Sequence, residues 1–145
     1  MHSLLQTAGH FSGAGINHAG ESFTGRMTLN PVIGHCAVSL VFTALGDKDE
    51  VFHDERTLIG LDSAGGLVMV SASNNTGAVM TYHLHRREEE RLVFQFGDIA
   101  MADAFREQRE LIVHANGDVT YRFSWGMPGG EFQERSVVRM AKALD

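Results

Sequence analysis

Roughly ten short segments of alternating or apolar residues make up most of this chain, and Gly, Asn and Asp separate them. In the clearest segment, Val119, Tyr121, Phe123 and Trp125 occupy every second position. A period of two sends successive side chains to opposite faces of a β-strand, so each strand has one apolar and one polar face. No convincing amphipathic helix lies between the segments. The sequence therefore predicts an all-β domain.

The spacing of the segments predicts an antiparallel meander. The predicted strands cover residues 9–15, 22–30, 35–45, 51–61, 67–72, 78–86, 92–96, 107–114, 119–125 and 132–140. Short turns join most of them, and Asn74-Asn-Thr-Gly77 and Asn116-Gly-Asp118 have hairpin chemistry because Asn and Gly tolerate a positive φ. Closure into a roughly ten-stranded up-and-down barrel removes both exposed edges. Such a barrel is slightly wider than side chains can fill, so we expect a central cavity.

Three segments need separate treatment. Residues 98–106 are compatible with a single helical turn or with an irregular loop. Residues 1–8 are expected to be a short N-terminal extension, either a helical turn or a plug. The first strand carries Gly9, Gly13 and Gly15 on one face, which predicts that another segment crosses closely there or that the sheet bends sharply.

Composition places the chain among ordinary globular proteins. Its 145 residues suit one domain spanning residues 1–145, and hydrophobic residues make up 43%. The formal net charge is −6 and no basic run is longer than Arg86-Arg87, which argues against a nucleic-acid-binding surface. The N-terminus lacks the features of a signal peptide and no stretch approaches the ~20 apolar residues of a membrane span, so we expect a cytoplasmic protein.

The single cysteine, Cys36, cannot form an internal disulfide. It begins the apolar run that ends at Phe42, so the sequence predicts that Cys36 is buried and packs as a small hydrophobic residue.

His53 and Glu55 are two positions apart on the fourth predicted strand and therefore share a face. If that face points inward, the pair can bind the polar group of a ligand or act as a general acid and base. In the alternative register Phe52 and Leu58 point inward and the pair faces solvent. The residues alone leave both registers open, and Arg56 lies outside in the first.

His83 and His85 also share a strand face, at a spacing that can place two imidazoles on one metal ion. A site would need a third ligand, which His35, His53 or His114 could supply only in a suitable register. Met80, Tyr82 and Leu84 form the more apolar face of that strand, so we expect both histidines to face water and we assign no metal site.

Aromatic residues line one face of two predicted strands and suggest the walls of a cavity. They are Tyr121, Phe123 and Trp125 on the ninth strand and Phe94 and Phe96 on the seventh. The same rings could instead fill a solid core, because aromatic residues dominate β cores in general. Both can hold if one end of the barrel is packed and the other is hollow, with Trp125 near the mouth.

The order of these segments resembles the calycin group, in particular its bacterial fatty-acid-binding-protein-like and lipocalin-like barrels. Gly9-His-Phe-Ser-Gly-Ala-Gly15 is similar to the Gly-x-aromatic-x-Gly-x-Gly opening of such barrels, with Phe11 in the aromatic position. The segment from Phe52 to Asp62 resembles their fourth strand. The Asn74-Asn-Thr-Gly77 hairpin and the final strand over 132–140 complete the pattern. The resemblance implies a barrel that binds a ligand inside, and it favours the register in which His53 and Glu55 point inward.

Nitrobindin-type haem barrels share a related opening and a fourth strand with a histidine followed by acidic residues. In that family a histidine near the end of the last strands holds the haem iron. Here the region from Trp125 to Asp145 contains no histidine, so we assign no cofactor. The turn from Asn17 to Glu21 is also too short for the helical lid of the animal fatty-acid carriers.

We therefore expect a protein that binds a small, mostly apolar ligand, fatty-acid-like or similar, in its barrel. The ligand-binding residues we assign are His53, Glu55, Tyr82, Phe94, Phe96, Tyr121, Phe123 and Trp125. The alternatives are a haem-binding barrel and a small barrel enzyme that uses His53 and Glu55, although no nucleophile motif supports catalysis. The third and tenth strands carry more apolar surface than one interior can absorb, so we also expect a homodimer.

Overall fold

Ten antiparallel strands form one closed sheet in the computed structural model, which describes residues 7–144. The strands are β1 (Gly9–Asn17), β2 (Ser22–Val32), β3 (Ala37–Leu45), β4 (Val51–Leu61), β5 (Leu67–Ser73), β6 (Val79–Arg87), β7 (Arg91–Phe96), β8 (Arg106–Val113), β9 (Val119–Gly126) and β10 (Gln133–Lys142). Each strand pairs with its sequence neighbours, and β1 pairs with β10 to close the barrel. The predicted all-β, up-and-down barrel is confirmed.

The predicted strand ends agree with the structure to within two residues. The β2–β3 connection shows why the third strand begins later than expected. Ile33, Gly34 and His35 have φ values of 53°, 60° and 66°, so the chain is still in a left-handed turn at residue 35, where the third strand was predicted to begin. Cys36 ends this turn and is exposed, so the prediction of a buried cysteine is wrong.

The two other segments that the sequence left open are settled only in part. Residues 98–105 form an irregular loop with two successive turns, in which Met101 N donates to Asp98 O and Ala104 N to Met101 O, and Arg106 already begins β8. The extension predicted over residues 1–8 lies outside the described residues except for Thr7 and Ala8. Between residues 7 and 144 there is no helix that is long and apolar enough to cross a membrane.

The two ends of the barrel differ. At the closed end, near the β2–β3, β4–β5, β6–β7 and β8–β9 connections, apolar side chains from all sides fill the interior, including Phe11, Leu29, Leu40, Ile59, Met69, Leu92, Leu111, Val119 and Met140. The mouth, at the end that carries the β1–β2, β3–β4, β5–β6, β7–β8 and β9–β10 connections, is hollow. The packed closed end fixes the barrel, and the mouth is left for a site.

Glycines in β1 allow the close approach that the sequence predicts. A Cβ on Gly13 would lie 2.0 Å from the carbonyl oxygen of Arg139 in β10. A Cβ on Gly15 would lie 2.4 Å from the ring of Phe23, which occupies that space. Residue 13 therefore has to be glycine for β1 and β10 to close the barrel.

Candidate functional site

A cavity of about 370 Å³ opens at the mouth of the barrel. Its apolar lining is mostly aromatic and consists of Phe23, Phe42, Ala44, Phe52, Phe105, Phe123, Trp125 and Met127. Its polar lining consists of Asn17, His18, His53, Ser73, Asn75, Thr76, Glu107, Arg109, Arg135 and Ser136. An apolar cleft of this size with a few converging polar groups has the general character of a small-molecule site.

Two β-bulges aim side chains into this cavity. Between β3 and β4, Leu45 pairs with Val51 and Ala44 pairs with His53. Phe52 of β4 is therefore an extra residue without a partner in β3. Phe52 and His53 consequently both line the cavity although they are adjacent in sequence. In β10, Glu134 pairs with Ser124 and Ser136 with Phe123, so Arg135 is the extra residue and also reaches the cavity. Bulges re-aim side chains in this way next to binding sites.

A network of buried charges lies directly below the cavity. Glu55 of β4 and Arg109 of β8 form an ion pair of 3.1 Å, with side-chain exposures of 0% and 2%. The Nε group of Arg109 also contacts Glu107 at 3.2 Å, so one guanidinium lies between two carboxylates. Buried charges are tolerated only when they are paired and hydrogen-bonded.

Neutral hydroxyl groups complete this network. Tyr121 OH donates to Glu55 Oε2 at 2.7 Å, and Tyr82 OH donates to Glu107. Arg109 Nη1 donates to Ser71 Oγ at 2.6 Å, and Thr57 Oγ1 lies 2.5 Å from Glu55 Oε2. Together with His53, whose Nε2 lies next to Glu55 Oε1, these groups give every oxygen of the two carboxylates a donor.

The pKa shifts in this network keep Glu55 and Arg109 charged at neutral pH. Burial alone would raise the pKa of Glu55, but the Arg109 charge and the His53 hydrogen bond lower it to about 2. Burial also raises the pKa of Tyr82 and of Tyr121 above the ordinary value, so both phenols stay protonated and act as donors. Although burial opposes it, the pKa of Arg109 is raised by Glu55 and its other neighbours.

His53 connects this network to the mouth. Its Nε2 lies 2.9 Å from Glu55 Oε1, and its Nδ1 lies 2.7 Å from Asn75 Nδ2. The same Asn75 nitrogen lies 3.2 Å from the carbonyl oxygen of Phe52, which can only accept, so this atom is the amide NH₂. His53 Nδ1 must then accept, and the ring proton is on Nε2. Both ring nitrogens are occupied, so proton abstraction by His53 would first require Asn75 to move.

Trp125 and Arg135 form the rim of the cavity. The Arg135 guanidinium lies 4.2 Å from the centre of the Trp125 ring, and Arg135 Nε donates to the Trp125 carbonyl oxygen at 3.1 Å. The His18 ring meets the same indole edge-on, with 5.7 Å between ring centres. The single tryptophan is therefore held at the entrance, with a cation over its face.

The eight predicted binding residues occupy three levels of the barrel. His53, Phe123 and Trp125 line the cavity. Glu55, Tyr82 and Tyr121 point inward but lie below it, in the charged network. Phe94 is fully buried in the core, and Phe96 packs between Tyr82 and Phe105. The inward register of His53 and Glu55 is the observed one, since Leu58 is 41% exposed and Arg56 is also exposed.

Several cavity residues were missed at the sequence level. Glu107 and Arg109 had a readable signal, because they continue the alternation of Leu111 and Val113 towards the start of β8. Arg135 and Phe52 had none, because a bulge interrupts the period of two at each of them. Asn75 was recognised only as a turn residue, and its contact with His53 depends on how the hairpin folds back over β4.

The structure offers little support for a haem or metal site. Among residues 7–144, the histidines that line the cavity are His18 and His53. Both nitrogens of His53 have protein partners and His18 packs against Trp125, so these residues do not fit an axially ligated haem. His83 and His85 are exposed on the outer face, and the described chain contains no group of three metal-ligating side chains.

Comparison with known proteins identifies the architecture. No protein-family profile and no curated protein matches the sequence. Among solved structures, the chain is similar to a de novo designed fluorescence-activating β-barrel, with a TM-score of 0.51 and 11% sequence identity over 99% of each chain. At this identity the similarity concerns the fold alone. A β-barrel fold is thus the property that the two proteins share.

Proposed function

We propose that this barrel binds a small, mostly apolar ligand in the cavity at its mouth. The observation that carries the proposal is the cavity of about 370 Å³, which is walled by aromatic rings and has charged and polar groups at its inner end. Pockets that bind small ligands combine these features, with apolar walls for affinity and a few polar groups for orientation. The volume is near the lower end of the usual range, so the ligand is compact.

The residues divide this task between them. Phe42 and Phe123 form part of the apolar wall, while His53 and Glu107 face the ligand from the inner end. Glu55 acts through others in this proposal, because it is 1% exposed and its oxygens already bind His53 and Arg109. It keeps the polar groups at the inner end in place when the cavity fills or empties.

Two further observations agree with ligand binding. The designed barrel of similar fold is fluorescence-activating, which is consistent with ligand binding in a barrel of this architecture. The resemblance of the opening and fourth strand to calycin-type barrels points the same way. We extend the proposal to a calycin-like, cytoplasmic carrier.

A fluorogenic neutral probe tests the proposal directly. N-phenyl-1-naphthylamine is expected to brighten on binding, to quench Trp125 at the rim, and to raise the melting temperature as its concentration exceeds Kd. Naphthalene and biphenyl, as compact competing apolar compounds, should displace it. Absence of any change in Trp125 emission and in melting temperature with all three compounds would contradict the proposal.

Two variants on one strand provide the matched control. Ser73 lines the cavity, and its neighbour Ala72 is exposed on the outer face of β5. Ser73→Phe is expected to fill the cavity and weaken probe binding by about tenfold or more, while Ala72→Phe leaves it unchanged. Equal binding by the two variants would place the probe outside the barrel and would count against the cavity as the site.

A further inference from the structure

The arginines at the mouth differ from those elsewhere in the barrel. Five arginines of the described chain are buried or half-buried. Arg91, Arg109 and Arg122 each form an ion pair with a glutamate. Arg106 and Arg135 have no carboxylate within ion-pair distance among residues 7–144, and both lie at the mouth. In a chain with a net charge of −6, two unpaired cations at one entrance indicate an electrostatic preference there.

Arg106 is a fixed positive charge beneath the rim. It is 3% exposed, and its guanidinium donates only to carbonyl oxygens, those of Ala102, Ala104, Met127 and Gly130. These hydrogen bonds hold the β7–β8 and β9–β10 loops together, while its buried Nε has no hydrogen-bond partner among residues 7–144. The hydrogen bonds to carbonyl oxygens leave its charge without a carboxylate at ion-pair distance among residues 7–144, so Arg106 adds a positive contribution to the potential at the mouth.

Arg135 presents the second charge to the cavity itself. Its Nε and Nη2 groups donate to the carbonyl oxygens of Trp125 and Glu131, and its plane stacks on the Trp125 ring. Its Nη1 group has no hydrogen-bond partner within residues 7–144. Arg135 is therefore held rigidly by one edge, while the other edge has donors free for a ligand. A guanidinium held in this way is suited to a planar carboxylate.

The inner end of the cavity, unlike the mouth, disfavours an anionic group. Glu107 lines the cavity and Glu55 lies just behind it, and Arg109 is shared between them. An anionic group placed there would lie close to Glu107 and Glu55, whose two negative charges outnumber the one positive charge of Arg109, and the end of a long aliphatic tail would meet charged groups. The charges therefore favour a ligand whose anionic group stays at the mouth and whose body is short and aromatic.

We propose that the ligand is a compact aromatic carboxylate that enters the cavity ring first and leaves its carboxylate on Arg135. This inference rests on the proposed ligand-binding function and names the ligand class for the same cavity. The ring lies against Phe123 and Trp125, and the positive potential of Arg106 assists the anion without touching it.

A charged and a neutral probe of the same shape test this inference. We expect 2-naphthoate to bind about tenfold or more tightly than 2-naphthamide in isothermal titration calorimetry. In Arg135→Gln the two affinities should become similar through the loss of naphthoate binding. Arg87→Gln removes an exposed arginine at the closed end and should keep the wild-type preference.

A measurement on the unaltered protein guards against misfolding of the variant. Raising sodium chloride from about 50 to 500 mM should weaken naphthoate binding and leave naphthamide binding unchanged, because salt screens a half-exposed ion pair. Equal affinity of the two probes, or a naphthoate affinity that does not respond to salt, overturns the inference while ligand binding stands. Failure of both naphthyl probes and of N-phenyl-1-naphthylamine removes the proposed function itself.

Discussion

Arg109 and Glu55 form an ion pair of 3.1 Å in the middle of the barrel, although β8 and β4 are not neighbouring strands. The pair therefore crosses the interior and connects two parts of the wall. Below it the barrel is filled with apolar side chains, and above it the cavity opens. The pair is the floor of the candidate site and a brace of the fold at once.

Loss of the central cation should destabilise the protein strongly. Arg109→Met leaves two buried carboxylates without a counter-charge, which is expected to lower the free energy of unfolding by about 3–5 kcal/mol. The matched control is Arg56→Met, because the Arg56–Asp54 pair is 61% and 44% exposed and is expected to contribute less than about 1 kcal/mol. Urea denaturation followed by circular dichroism measures both. Similar losses in the two variants would show that the internal pair is not a brace.

Stability should fall on acidification because of Glu55. Its pKa of about 2 lies below the ordinary value of 4.5, so the unfolded chain binds the proton more tightly than the folded one. The resulting stabilisation is complete above about pH 5 and is lost as the pH falls towards 2, by on the order of 3 kcal/mol. Unfolding measured between these pH values should show this loss in the wild type and a much flatter profile in Glu55→Gln. The exposed turn variant Asp47→Asn should retain the wild-type profile, and an unchanged profile in Glu55→Gln would refute the assignment.

Gly13 should not tolerate a methyl group. The added Cβ of Gly13→Ala would lie 2.0 Å from the carbonyl oxygen of Arg139, so β1 and β10 would have to separate, at a cost of about 1–3 kcal/mol or more. Gly60→Ala is the control, because its added Cβ would meet its nearest neighbour at 3.4 Å. Thermal unfolding should show a large decrease in melting temperature only for Gly13→Ala. Equal melting temperatures would mean that the seam between β1 and β10 is looser than described.

We propose that the chain forms a homodimer through an outer face of the barrel. Val38 and Met140, which contributed to the expected surplus of apolar surface, point inward. Leu58 and Val70 are cross-strand partners on the outer face and are 41% and 37% exposed. Light scattering should give twice the chain mass of 15.9 kDa for the wild type, and the chain mass for Val70→Lys. A wild-type mass of 15.9 kDa would exclude the dimer.

Much of the site's inner face could be predicted from alternation alone. The period of two on β9 places Tyr121, Phe123 and Trp125 inside, and the same rule places His53 with Glu55. The rule also reaches Glu107 and Arg109, but charged residues in the middle of a strand look like solvent-facing residues in a sequence. Only the inward position of the other residues on β8 argues otherwise.

The amino-acid sequence by itself determined the strands, their order and which face of each is apolar, because these depend on local alternation and on turn residues. The tertiary structure decided what lies at each depth of the barrel. Strand pairing around the closed sheet brings Arg109 to Glu55, the folding of a hairpin over β4 brings Asn75 to His53, and a bulge turns Arg135 towards Trp125. These contacts depend on closure, register and bulges, which are set by packing across the whole barrel and not by neighbouring residues in the chain.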